Sequence, residues 1–138
     1  MITHVFDTSA ILAHYFQEPG AEQVHALLAD NAVEAGLSAI ALLDLKSKLV
    51  ASVPDAAEAH RAFQLYSEEL IAAIPVTRDI VEAAEALLAR AGHTLTLLEA
   101  IAAATAQREG AILVHRDPNI ARLPDGLLQQ CALPLGNS

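Results

Sequence analysis

Short apolar runs of strand character alternate with capped helical patterns along this chain, and that alternation constrains the fold more than any other feature. Residues 3–6 read as a buried strand, and Ser9 or Thr8 can cap a helix from there to about Gln17. "EPG" at 18–20 breaks it, and "AEQVHALLAD" carries a second helix to Asp30 with Val24, Leu27 and Leu28 on one face. "VEAGLSA" is a second strand, from which Ser38 can cap "AIALLDLKSKLVAS". Pro54 suits the first turn of a long helix through about Leu70. "AAIPV" gives a third strand, and Thr77 caps a helix that Gly92 closes. Thr96 opens "LLEAIAAATAQREG", which Gly110 ends, and "AILV" at 111–114 is the clearest strand. The loop "HRDPN" follows it, and "QCALPL" holds a last short strand. Such alternation implies a parallel sheet covered by helices on both faces. There are no repeats or linker-like stretches, so residues 1–138 read as one domain.

In parallel sheets of this kind, ligands bind at the carboxyl ends of the strands, where the strand order reverses. Asp7, in "HVFDTSAIL", ends the first strand, and Asp117 follows the fourth. The helix from Thr96 reaches its strand through a single glycine, so it runs antiparallel to that strand. Glu99, in its first turn, therefore comes to the same edge. Asp44 lies in the second turn of the helix leaving the second strand, also near that edge.

Four carboxylates at one edge repel one another unless cations neutralise them. Hard oxygen ligands suit Mg²⁺ or Mn²⁺. A single cysteine, Cys131, excludes a disulfide within the chain and any multi-cysteine metal site. A Mg²⁺ held by carboxylates and water commonly serves phosphoryl chemistry, by orienting a water and neutralising phosphate charge. Each acid also has a local reading. Asp7 can cap a helix, Asp117 can make the turn in "RDPN", and Glu99 forms a capping box with Thr96. Asp44 can pair with Lys48 one turn on. Arg116 and Arg122 flank the same edge and are candidates for phosphate contact, and His115 lies two residues before Asp117. Ser9 can orient Asp7.

The net charge of −9, from 17 acids against 8 Lys and Arg, argues against nucleic-acid binding through a broad basic surface. It does not exclude a nucleic-acid enzyme whose acids hold divalent ions. The apolar fraction of 54% points to a covered surface, hence a dimer or a protein partner. No apolar run reaches the roughly 18 residues of a membrane helix, and "MITHVFD" lacks the marks of a signal peptide. A cytoplasmic location is the expectation.

The segments "VFDTSAIL…EPGAEQVHALL", "LSAIALLDL" and "LTLLEAIAAATAQREGAILVHRDPNIARLP" resemble, in order and spacing, the motifs of the PIN-domain family. More narrowly they resemble VapC-type toxins of toxin–antitoxin pairs. The resemblance covers about residues 3 to 125. It implies an α/β/α sandwich with a five-stranded parallel sheet and an acidic metal site at its carboxyl edge. It also implies Mg²⁺- or Mn²⁺-dependent endoribonuclease activity, with products carrying a 5′ phosphate and a 3′ hydroxyl, a homodimer, and inhibition by a small antitoxin. By position, Asp7 and Asp117 match metal-binding acids of the family. Asp44 falls where the family usually has Glu, Glu99 where it usually has Asp, and His115 where Thr or Ser is common. Asp44 loses a methylene of reach and Glu99 gains one, each roughly 1.5 Å. These departures set a second expectation beside the nuclease: a PIN-like module of weak or no activity that binds RNA or a protein partner.

Overall fold

The computed structural model describes residues 1–92 and 94–136. Strand β1 (His4–Phe6) leads into α1 (Thr8–Tyr15) and α2 (Ala21–Ala29), and β2 (Ala35–Ser38) into α3 (Ala39–Ser52) and α4 (Ala56–Gln64). A π-helical segment, Leu65–Leu70, continues α4 and precedes β3 (Ala72–Ile74). The chain then runs through α5 (Arg78–Ala91), α6 (Leu97–Glu109), β4 (Ile112–His115), α7 (Pro118–Ala121) and β5 (Gln129–Ala132). All five strands are parallel, in the order β3-β2-β1-β4-β5.

That order could not be read from the sequence, and it decides where a site can form. The chain winds outward from β1 through β2 to β3, then returns to the other side of β1 with β4 and β5. The reversal lies between β1 and β4, the strands followed by Asp7 and Asp117. Pairing of these strands runs past their ends, with the Asp7 N–H donating to the Val114 carbonyl at 2.9 Å.

Alternation along the strands divides the core in two. Val5 and Leu113 face α5 and α6, against Ile80, Ala84, Leu87 and the buried alanines of α6. Phe6, Leu37 and Val114 face the opposite layer, with Ile11, Val24, Leu45, Leu49 and Tyr66. Helix α6 is buried around most of its girth: Ala100, Ala103, Ala104 and Ala106 are fully inaccessible. Its small side chains let the helix lie close to the sheet, which is why "AIAAATA" shows no amphipathic stripe.

Most helix ends fall where local chemistry places them. Ser38, Thr77 and Thr96 cap α3, α5 and α6, and Gly92 and Gly110 close α5 and α6 in the left-handed conformation. The differences are local too. Asp7, rather than Ser9 or Thr8, caps α1, which stops at Tyr15 instead of Gln17. Pro54 stands ahead of α4, whose cap is Asp55. The loop "HRDPN" contains the one-turn α7, with Pro118 at its first position.

Candidate active site at the carboxyl edge of the sheet

Asp7 leaves β1 at the switch point and caps α1, its Oδ2 accepting from the Ser9 N–H at 3.1 Å and from the Ser9 hydroxyl. The same hydroxyl accepts from the Arg116 N–H at 2.9 Å, so Ser9 ties the end of β1 to the end of β4. Asp7 is only 9% exposed. Burial pushes its carboxyl above the ordinary 3.8, the two Ser9 bonds oppose the rise, and the negative charge of Asp117 adds to it.

Asp117 follows β4 and caps α7, with Oδ1 accepting from Asn119 N–H at 2.7 Å and Ile120 N–H at 3.2 Å. Glu99 sits in the first turn of α6, whose start is brought to this edge because Gly110 returns the chain directly into β4. The predicted capping box is formed: the Thr96 N–H donates to Glu99 Oε1 at 2.8 Å, and the Glu99 N–H to Thr96 Oγ1 at 3.1 Å. Burial is the first cause that lifts Glu99 from 4.5 to about 7, followed by the adjoining Asp117 carboxyl and the charge on Asp7. Burial works to raise Asp117 as well, but the bond from Glu99 and the N–H groups of Asn119 and Ile120 outweigh it and hold Asp117 low. The two neighbouring carboxyls are thus pushed in opposite directions, Glu99 up and Asp117 down.

The structure therefore brings Asp7, Glu99 and Asp117 into one electrostatic unit. It directs Asp44 elsewhere: Oδ2 accepts from Lys48 Nζ at 3.3 Å. Asp44 is not among the charges that shift the other three. Among the described residues, no group of three His, Cys, Asp or Glu is placed to hold a metal ion. One reason is visible in the caps. Asp7, Glu99 and Asp117 each turn one oxygen to a helix start, and the other oxygen of each accepts no backbone bond. The donor set is nevertheless chemically suited to a hard divalent cation: it is all oxygen, and it carries an excess of negative charge.

The three flanking candidates are placed differently from one another. The Arg116 guanidinium is engaged by the C-terminal segment, donating to the carbonyls of Pro134 at 2.9 Å and Leu135 at 2.6 Å, and it pairs with Glu18 at 3.4 Å. Arg122 closes α7 and joins no ion pair among the described residues. His115 is fully buried, with Nδ1 accepting from the Asp117 N–H at 3.0 Å and Nε2 bonded to Gln130 Oε1 at 2.8 Å. Neither nitrogen is left for a metal. Gln130 escapes sequence reading altogether, because nothing local marks a glutamine on an edge strand.

The family model of the PIN domain matches residues 4–126. The chain belongs to the PIN-domain family. Solved PIN structures share its fold. VapBC2 from Rickettsia felis, bound to a DNA fragment from its promoter, superposes with a TM-score of 0.75 at 15% identity, covering 96% of this chain and 100% of that one. A toxin–antitoxin complex from Klebsiella pneumoniae gives 0.63 at 25% identity, over 88% of this chain and 93% of the other. VapC20 from Mycobacterium tuberculosis, a toxin that cleaves the sarcin–ricin loop, gives 0.69 at 17% identity, over 86% and 93%. No curated protein matches the chain by sequence. PIN-domain toxins of the VapC kind are generally metal-dependent ribonucleases, and the chain's structural neighbours include complexes with antitoxins. Among the described residues, no helix is long and apolar enough to cross a membrane.

Proposed function

We propose that this PIN domain, as a single unit over residues 1–138, is a metal-dependent endoribonuclease toxin acting in the cytoplasm and held in check by a small antitoxin. The observation that carries the reading is the convergence of Asp7, Glu99 and Asp117 at the reversal of strand order, where burial and mutual charge lift Glu99 to about 7. A carboxyl whose charge is disfavoured by burial and by two neighbouring acids marks a site short of positive charge. Asp7, Glu99 and Asp117 would hold Mg²⁺ or Mn²⁺, and Asp44 would join them on release from Lys48. When bound, the cation supplies charge neutralisation at the scissile phosphate and activation of a water. The chain's own residues do the rest. Ser9 and the α1 start orient Asp7, the α7 start orients Asp117, and Thr96 fixes one oxygen of Glu99. Arg122, which closes the helix that Asp117 starts and joins no ion pair among the described residues, is the candidate for contact with the RNA backbone.

Exposed Ile40, Leu43 and Val50 line one face of α3. This apolar stripe supports a second copy or an antitoxin as partner. A second reading, a PIN-like module of weak or no activity, is favoured by the Lys48–Asp44 pair and by the caps that already use one oxygen of each other acid. Cleavage of a mixed structured RNA pool by the purified chain, in Mg²⁺ and then Mn²⁺, separates the two. Metal-dependent cutting that Asp7→Asn abolishes is the expected result, and equal behaviour of the two proteins would favour the inactive module.

A further inference from the structure

We propose that His115 and Gln130 are positioning residues that fix Asp117, an inference that rests on reading Asp117 as a metal ligand. β4 ends at His115, whose carbonyl still accepts from the Leu133 N–H of the β5 side at 2.8 Å. The chain then turns to cap α7, so the Asp117 N–H leaves the ladder and needs another acceptor. His115 Nδ1 supplies it at 3.0 Å. Because Nδ1 accepts, the ring proton lies on Nε2, which donates to Gln130 Oε1 at 2.8 Å. The imidazole, itself fully buried, thus joins the ligand's own backbone to the edge strand β5.

The geometry controls the carboxylate through its anchor. Asp117 Oδ1 is held by Asn119 and Ile120 N–H, and its N–H by the ring, so the residue is fixed at both ends. A hydroxyl at position 115 could accept from the same N–H but could not also reach Gln130 on the neighbouring strand. A rigid ring does both. Gln130, otherwise an unremarked residue of an edge strand, becomes the group that sets the orientation of the ring.

The test uses the full-length chain with Mn²⁺ as the probe, reading its affinity by calorimetry and the exchange rate of the Asp117 amide by NMR, with melting temperature alongside. His115→Asn keeps an acceptor where Nδ1 lies, whereas His115→Leu and His115→Gln do not. His115→Leu is expected to lose protection of the Asp117 amide and to weaken Mn²⁺ binding by about 10–100-fold, as loss of a group holding a metal ligand does. His115→Asn should restore both, His115→Gln neither, and Gln130→Leu should weaken binding by a smaller factor. Wild-type affinity and protection in His115→Leu would overturn the proposal. So would equal losses in His115→Asn and His115→Leu, which would make the residue a matter of packing alone. If the unaltered chain binds no Mn²⁺, the metal reading of Asp117 fails, and the amide exchange still decides whether His115 holds that backbone.

Discussion

Glu99 carries the clearest pH signature in the molecule. Its folded value, about 7, lies above the ordinary 4.5 because burial and the neighbouring Asp117 and Asp7 disfavour its charge. The folded state therefore binds more protons than the unfolded chain between these limits. The contribution to stability is full below 4.5 and is lost as pH rises through about 7. Asp7 is raised and acts in the same direction. Asp117 is lowered, so its contribution is lost only as pH falls below the ordinary 3.8. Two histidines oppose Glu99: burial holds His4 and His14 below 6.5, and their contribution is lost as pH falls. The comparison that isolates Glu99 is with Glu99→Gln. The melting temperature of the variant should gain on the wild type as pH rises from about 5 to about 7.5, and Mn²⁺ should reverse that gain by stabilising only the wild type. At Asp44 the question is a choice of partner. The pair with Lys48 is half exposed on the lysine side, at 54%, and is worth no more than about 0.5 kcal/mol. Lys48→Met should leave stability nearly unchanged and raise Mn²⁺ affinity, whereas Asp44→Asn should lower it. If neither variant changes the affinity, Asp44 is not a ligand.

At the scale of elements, Arg116 joins the C-terminal segment to the acidic edge. Its guanidinium, 19% exposed, gathers the carbonyls of Pro134 and Leu135, while its backbone N–H holds Ser9. Arg116→Met keeps the backbone bond and removes the others. It should cost about 1 kcal/mol in urea unfolding, the net worth of such bonds when their acceptors are exposed, and leave RNA cleavage intact. A tenfold loss of cleavage at unchanged stability would instead restore the phosphate contact that the sequence suggested. The contrast shows what the chain reveals of itself. Ser38, Thr77, Thr96, Gly92 and Gly110 were legible as caps because capping is settled within a few residues. Asp7, Glu99 and Asp117 stood out because acids at strand ends and helix starts are local signals. The Pro134 and Leu135 carbonyls that hold Arg116, and the Gln130 amide that meets His115, lie 15 to 19 residues away on another strand or beyond it, and no spacing announces them. Strand order was hidden for the same reason. The π-helical segment was hidden differently: "LYSEEL" has ordinary helical composition, and its widened turns bring Tyr66 to hydrogen bond with His14 across the core at 2.7 Å.

Across the whole molecule, charge decides how RNA could be approached. The chain carries 8 Lys and Arg against 17 acids. Lys48, Arg78, Arg108 and Arg116 are each paired with an acid, and Lys46 lies over the Phe63 ring with its ammonium bonded to His60. Among the described residues that leaves Arg61, Arg90 and Arg122 without such a partner, of which only Arg122 closes the helix that Asp117 starts. A chain so poor in free cations releases few counterions from a single strand. With about 0.7 in slope for each phosphate neutralised, the plot of log affinity against log salt should fall with a slope no steeper than about −2 per chain. Asp7→Asn protein, which is expected to leave RNA intact, is the form in which to measure it, at fixed Mg²⁺ with NaCl varied. Adding Arg122→Gln to it should lower affinity for every RNA alike and flatten the slope by about 0.7, the mark of a phosphate contact rather than a base contact. A steep slope in the parent would require a basic surface that this chain does not have, and would move RNA recognition onto a partner. A shallow slope unchanged by Arg122→Gln would leave affinity to the cations at the acidic edge, and the choice of RNA to the shape of the groove around them.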